Sequence, residues 1–451
     1  MNVTLYLPTK TKIRKVEFET GTPESTTALK QMNMLISTEY FLLKTKPGEL
    51  LFEDQSILTW LDEVKKSTEI YSYSNYNQVS NAQASPVPTI DYSAGSLRDD
   101  FNFGALVLLK TSALTEYLKW ESQEYKYAGW YALSLFASRQ KQLHHSNKFN
   151  YSYTELDVRK SGEKQFDYVN PRNRARQLEM EKAATIHLEA IGAKVSPPFK
   201  QVDFDETSFQ FEASVIIPVL NRELTITDAI QSVLKQQTNF AFNLIIVNNH
   251  STDDTTKIIN EINDDRIIHV IPEATNLGIG GCWNEAVNHP KCGRFAVQLD
   301  SDDLYSDEST LQRIVDKFHK KKCAMVIGSY QMVNVNLEEI PPGIIDHREW
   351  TDDNGPNNAL RINGMGAPRA FYTPIIREIG FPNVSYGEDY AVALAISRSY
   401  KIGRIYEPLY LCRRWNQNTD ANLSIEKTNA HNKYKDSIRT EEIAIRKELN
   451  K

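Results

Sequence analysis

Cysteine is scarce in this 451-residue chain: Cys282, Cys292, Cys323 and Cys412 all lie in the second half, and no two form a C-x-x-C pair. That excludes a disulfide scaffold and the commonest zinc and thiol-redox motifs, leaving reduced structural thiols. Long apolar runs are also missing. Stretches such as Ala324-Met325-Val326-Ile327-Gly328 have the length of a strand, far below the roughly 20 residues of a spanning helix. The first 15 residues alternate Leu, Tyr, Lys and Thr without the continuous apolar segment of a secretory signal. There is no basic excess: the net charge is -6, so no nucleic-acid surface is expected. Together these absences predict a cytoplasmic protein without a membrane span, with peripheral membrane association as the most it would show.

What is present is a chain with 41% apolar residues, enough to bury substantial cores. Between residues 211 and 328, Val215-Ile216-Ile217, Leu244-Ile245-Ile246-Val247, Ile267-Ile268-His269-Val270-Ile271 and Phe295-Ala296-Val297-Gln298-Leu299 alternate with helical patterns. That rhythm predicts βα units and a largely parallel sheet. In the first of the helices Ile226, Ala229, Ile230, Val233 and Leu234 share a face, and Thr225 with Asp228 has the spacing of a capping box. A charged amphipathic helix over 173–191 precedes Ser196-Pro197-Pro198. This places a first domain at 1–195, a linker at 196–210, and a second domain at 211–451 with a helical tail.

The two halves resemble each other. Tyr127-Ala128-Gly129-Trp130-Tyr131-Ala132-Leu133-Ser134-Leu135 matches Tyr386-Gly387-Glu388-Asp389-Tyr390-Ala391-Val392-Ala393-Leu394, and Tyr40-Phe41-Leu42-Leu43 matches the run at 295–299. A divergent duplication is expected, in which the first copy has lost its acids. Lys44-Thr45-Lys46 faces Asp300-Ser301-Asp302, and Gly129-Trp130 faces Glu388-Asp389. Lysines cannot build a cation site. The first copy is also short at its start, by at least one βα unit. Its aromatics Trp120, Tyr125, Tyr127, Trp130 and Tyr131 either stack on sugar rings or pack helices, while His144-His145 reads as solvated loop.

Asp300-Ser301-Asp302-Asp303 follows an apolar strand directly, so its carboxylates should project where open α/β sheets bind ligands. Paired hard-oxygen ligands suit a divalent cation that neutralises a pyrophosphate leaving group. Taken alone, the same residues would read as a solvated acidic turn before the helix near Ser309-Thr310-Leu311.

In context, residues 211 to about 435 resemble the family 2 glycosyltransferases. The resemblance is carried by Val215-Ile216-Ile217-Pro218 with Asn221-Arg222, by Ile246-Val247-Asn248-Asn249-His250-Ser251-Thr252-Asp253, by Asn276-Leu277-Gly278, by the acidic motif and by Glu388-Asp389. It implies an α/β protein with a GT-A (nucleotide-diphospho-sugar transferase) fold in the C-terminal half and a divergent, truncated GT-A-like N-terminal half. It also implies an inverting transfer in which Asp389 is the base, with Glu388 beside it. Asp302 would bind the metal (Mn2+ or Mg2+), and Asp300 would contact the ribose or hold the metal through water. Pro218, Asn221, Asn248, Asn276, Gly278, Asp300, Ser301, Arg414 and Trp415 would hold the nucleotide sugar. His431 either completes the metal shell or is a surface histidine. Two adjacent carboxylates are expected to raise each other's pKa.

Some positions depart from the family pattern. Asn248 replaces the aspartate that reads the base, which leaves UDP- and GDP-linked donors both open. Trp283 stands in place of a basic residue near the diphosphate, so Arg413-Arg414-Trp415 is expected to supply that charge. Leu411 replaces the Gln of the longer processive signature. The acceptor would be a glycan or another hydroxyl compound. An alternative reading is a non-catalytic carbohydrate-binding or scaffold protein derived from such folds. A sugar-phosphate nucleotidyltransferase fits less well, because Val219-Leu220-Asn221-Arg222-Glu223 lacks that class's glycine-rich loop.

Overall fold

A computed structural model describes residues 2–140, 143–156, 173–204, 208–348, 350–415 and 423–451. In the C-terminal half the strands Phe242–Asn248, Ala213–Val219 and Phe295–Gln298 run parallel and adjacent, with Ile267–Val270 outside them. Their Val- and Ile-rich sequences are apolar on both faces, as a sheet covered by crossover helices requires. Helix Ile226–Leu234 provides one such cover, burying Ile226, Ala229, Ile230 and Val233. Phe242 and Phe295 both pair with Ala213. The carboxyl ends of the three strands therefore fall together, bringing Pro218, Asn248 and Asp300 to one edge. Beyond Phe295–Gln298 the sheet continues antiparallel through Arg369–Tyr372 and then through Met325–Val333, Ile402–Arg413 and Leu304–Tyr305.

The N-terminal sheet repeats this plan among the described residues. Tyr40–Lys44, Leu106–Lys110, Tyr71–Ser80, His144–Glu155 and Gly48–Leu51 follow one another in space. Their pairings are antiparallel, antiparallel, parallel and antiparallel, the same senses as in the second half from Phe295–Gln298 to Leu304–Tyr305. Even the side hairpin recurs, as Gln83–Val87 on Tyr71–Ser80 and as Glu339–Ile345 on Met325–Val333. The copies differ at the start. Asn2–Pro8 pairs antiparallel with Tyr40–Lys44 and forms a hairpin with Ile13–Glu19, a pairing that needs no crossover connection.

The halves share one core. Leu97, Leu135, Ala184 and Leu188 pack in the same buried cluster as the C-terminal sheet. The segment expected to be a linker is part of that cluster too. Val202 and Phe204 are buried, and Phe204 meets Phe295 and Tyr372 edge-on at 5.2 and 5.1 Å. His144 and His145 are likewise not in a solvated loop. They sit in a strand, with His144 Nδ1 2.8 Å from Ser72 Oγ and the His145 ring stacked on Tyr73. The helix-packing reading of the first-half aromatics holds for Tyr125, which is buried, and for Tyr131, whose hydroxyl donates to the Leu97 carbonyl. All four cysteines are free thiols. No helix among the described residues is long and apolar enough to cross a membrane.

Candidate active site

The acidic motif is a tight turn braced from three sides. Asp303 N–H donates to the Asp300 carbonyl at 3.1 Å, and Asp300 N–H donates to the Tyr410 hydroxyl at 3.0 Å. The Thr225 hydroxyl donates to the Ser301 carbonyl at 3.0 Å. This contact displaces the expected capping box, because the Thr225 side chain makes no bond to its own helix. Its intended partner Asp228 instead accepts from Arg413 Nη1 at 2.8 Å. Arg413 also donates through its backbone N–H to Asp303 Oδ1 at 2.7 Å, and through Nε to the Asp302 carbonyl. The guanidinium expected to meet phosphate therefore holds the turn.

Arg369 was invisible in the sequence motifs and lies at the centre of the site. Gln298 links it to the acidic turn, accepting from Arg369 N–H at 3.1 Å while donating to Asp300 Oδ1 at 2.9 Å. On its other side Arg369 Nη1 is 3.0 Å from Asp389 Oδ2 and donates to the Gly366 carbonyl at 2.8 Å. The one sequence signal near it was the run Gly364-Met365-Gly366-Ala367-Pro368 just before it. Gly366 is required there, with φ 106 and the Gly328 carbonyl 2.8 Å from where a Cβ would stand.

Glu388 and Asp389 open helix Glu388–Ser399, and their acidities move in opposite directions. Burial alone would raise Asp389, but the charges of Arg369 and Lys435 outweigh it and hold the carboxyl below the ordinary range. For Glu388, burial and the neighbouring Asp389 charge push the carboxyl up to about 8. Its Oε2 is buried without a hydrogen-bond partner. The expectation of mutual elevation thus holds for Glu388 and fails for Asp389, because Arg369 pairs directly with the latter, whereas its pull on Glu388 is outweighed by burial and by the Asp389 charge.

Glu388 should also mark the stability profile. Between its ordinary value of 4.5 and about 8, the folded chain holds a proton that the unfolded chain releases. Stability therefore falls as pH rises through that window. Thermal melts in a chelator should show Glu388→Gln gaining on the wild type from pH 5 to pH 8; parallel profiles would contradict the shift.

A cavity of about 190 Å³ joins these groups. Asp300, Ser301, Asp302, Arg222, Arg369, Glu388 and Asp389 give it a charged side, and Ile279, Trp283, Phe371 and Phe381 an apolar one, with Pro218 and Gln298 between. Trp283 stacks on Phe381 at 5.1 Å. Where the family pattern has a basic residue, this chain has an apolar wall, and Arg222 and Arg369 are the guanidiniums lining the cavity.

Other expected ligand residues have structural duties. Asn248 is fully buried and its amide is committed. Its Oδ1 accepts from Ser251 N–H at 3.0 Å, and its Nδ2 donates to Thr256 Oγ1 at 2.8 Å. Its neighbour Asn249 donates to the Leu277 carbonyl at 2.9 Å and keeps a buried, unpartnered Oδ1. Asn221, at φ 52, accepts from Thr252 N–H at 2.8 Å and so pins the 251–253 loop. Gly278 is needed for contact with the chain itself, since a Cβ there would lie 2.4 Å from the Val384 backbone. Its N–H donates to Asn383 Oδ1 at 2.7 Å, and Asn276 offers its carbonyl to Asn383 Nδ2 at 3.4 Å. Arg414 N–H donates to the Val333 carbonyl at 2.8 Å.

The metal expectation divides. Asp302 Oδ2 lies 3.4 Å from Trp415 Nε1 and 3.8 Å from Arg222 Nε. Asp300 and Asp302 both face the cavity. Among the described residues no three His, Cys, Asp or Glu side chains converge as a metal cage. His431 is therefore not brought together with the two aspartates; its ring is stacked on Tyr386 at 3.8 Å. Two hard carboxylates beside open volume nevertheless fit an Mg2+- or Mn2+-type ion that arrives with substrate phosphates, since such ions use one or two protein carboxylates and dehydrate reluctantly.

The sequence model of Glycosyl transferase family 2 matches residues 214–373, a stretch that contains the acidic motif and Arg369. The Escherichia coli UDP-Glc:alpha-D-GlcNAc-diphosphoundecaprenol beta-1,3-glucosyltransferase WfgD is 29% identical over 196 residues, 43% of this chain and 72% of that enzyme. WfaP, an E. coli enzyme of the same description, is 30% identical over 187 residues, covering 41% of this chain and 69% of the relative. Among solved structures, S. aureus TarS 1-349 in complex with UDP-GlcNAc is 20% identical, covers 51% of this chain and 71% of that one, and superposes with a TM-score of 0.39. The chain therefore belongs to glycosyltransferase family 2, with its GT-A-type glycosyltransferase fold in the C-terminal half.

Proposed function

We propose that the protein transfers a sugar from a nucleoside-diphosphate sugar to a hydroxyl acceptor, with inversion at the anomeric carbon, in glycan assembly. The observation that carries this reading is the single cavity in which Asp300 and Asp302 stand across from Glu388 and Asp389, with Arg369 between the two groups. Asp389, kept ionised by Arg369, accepts the proton of the acceptor hydroxyl. The hydroxyl oxygen attacks C1 as the bond from C1 to the phosphate oxygen breaks, and the nucleoside diphosphate departs with the bonding pair. Asp302 and Asp300 would hold a divalent cation, which when bound neutralises charge on that leaving group. Arg222 and Arg369 add guanidinium charge on the same side. The apolar wall of Trp283 and Phe381 suits one face of a sugar ring.

Intact carboxylates in the second half weigh against a purely binding or scaffold role. The deciding experiment is a panel of UDP- and GDP-sugars with Mn2+ or chelator, the product anomer being read by NMR. Retention of configuration, or no turnover with any donor, would refute the reading.

Base recognition is assigned to Asn249, whose free Oδ1 can accept the imide N–H of uracil or the N1–H of guanine. Asn249→Ala is expected to raise the donor KM by about tenfold with kcat little changed, the signature of lost uniform binding. An unaltered KM would remove Asn249 from the donor site.

A further inference from the structure

The face of the site opposite the acidic turn is held by a helix that the N-terminal half grips. Helix Ile425–Leu449 carries Lys435, Asp436 and Arg439, all buried. From the N-terminal half, Arg98 Nε donates to Asp436 Oδ1 at 3.1 Å and Ser96 Oγ donates to Asp436 Oδ2 at 2.9 Å. Gly95 lies so close that a Cβ would be 2.0 Å from the Asp436 carbonyl and 2.5 Å from Thr440 N. Only glycine fits that approach.

Asp436 passes the constraint on. Its Oδ1 also accepts from Arg439 Nη1 at 2.8 Å, and Arg439 Nε donates to the Tyr390 hydroxyl at 2.8 Å. Tyr390 directly follows Asp389. A second branch closes on the same place. Asp100 accepts from Arg98 Nη1 and from Asn363 Nδ2, both at 2.7 Å, and the Asn363 carbonyl accepts from Lys435 Nζ at 2.6 Å. Lys435 in turn sits 4.4 Å above the Tyr386 ring, two residues before Glu388. Arg98, Asp436 and Arg439 side chains are at most 3% exposed. Buried charges so placed must stay paired, which makes the geometry rigid.

We propose that Arg98 is a positioning residue for glycosyl transfer, acting jointly through Asp436 and Arg439 and through Asp100, Asn363 and Lys435 to fix the segment that carries Glu388 and Asp389, both branches being needed. The N-terminal half, having lost its own acids, works as the clamp of its neighbour's base. This inference rests on the proposed transferase reading, and the test separates the two.

Full-length Arg98→Met should keep the donor KM within about twofold and lower transfer kcat by roughly ten- to a hundredfold, as misplacement of a reacting group does. Arg98→Lys should recover part of the loss. Folded Arg98→Met with wild-type kcat would overturn the proposal. Should Arg98→Met not fold, Asp100→Ala decides. Its side chain is 42% exposed, so its loss is tolerable to the fold, and a reduced kcat supports the clamp whereas a wild-type kcat overturns it. Hydrogen exchange gives a readout independent of turnover. In either variant amides at 386–391 should exchange faster while those at 213–219 do not change, and unchanged exchange at 386–391 overturns the proposal even if the wild type accepts none of the donors.

Discussion

Asp302→Ala is expected to abolish metal-dependent transfer, lowering kcat by at least about a thousandfold, since cation stabilisation of a leaving diphosphate is worth several kcal/mol at tenfold per 1.36 kcal/mol. The backbone should survive the change. The turn is held by the Ser301 and Asp302 carbonyls, by Asp303 Oδ1 and by Asp300 N–H, and none of these contacts uses the Asp302 carboxylate. The melting temperature should therefore stay near that of the wild type. Binding of Mn2+ with nucleoside diphosphate, measured by calorimetry, should weaken in parallel with the rate. Undiminished turnover in Asp302→Ala would remove this residue from the chemistry.

Asp389→Asn is expected to reduce transfer by roughly 10²- to 10⁴-fold, the range supplied by a positioned general base, while donor affinity is kept. The amide preserves size and a carbonyl oxygen for Arg369, so the loss isolates the proton-accepting role. The pH dependence carries a second signature. Because the neighbouring cations hold Asp389 below the ordinary aspartate range, it is already ionised at neutral pH. The acid limb of kcat/KM should accordingly lie well below neutrality. An acid limb near pH 8 in the wild type, lost in Glu388→Gln, would instead make Glu388 the base.

The acidic motif and the strand before it were legible because both are local. A run apolar except for Gln298 sets the strand, and the acids follow where it ends. The duplication was legible from helix-start patterns such as 127–135 and 386–394, and strand order then extends it to six strands of each sheet, the side hairpin included. What escaped has its meaning only across the chain. Arg369 is a lone arginine until Asp389 meets it. Gly278 reads as a ligand contact, yet it and Gly280 meet the 382–384 backbone at distances that exclude a Cβ. Asn248 and Asn249 are the same residue type side by side, and only burial and partners separate the committed amide from the one whose oxygen has no partner. The opposite acidities of Glu388 and Asp389 likewise depend on which carboxylate pairs directly with Arg369.

The clasp between Arg98 and Asp436 spans 338 residues, and this has a consequence for how the enzyme comes into being. Synthesis runs from the amino end, so Ser96 and Arg98 leave the ribosome long before the helix at 425–449 can receive them. Contacts of such sequence separation form late, after loop closure has been overcome. The acidic turn can assemble with its own sheet, whereas the Glu388–Asp389 segment gains its last support only when that helix docks. Under the proposed mechanism, a nascent chain would acquire the acidic turn before the segment that carries the base is fixed, and sugar transfer would begin only with the final helix.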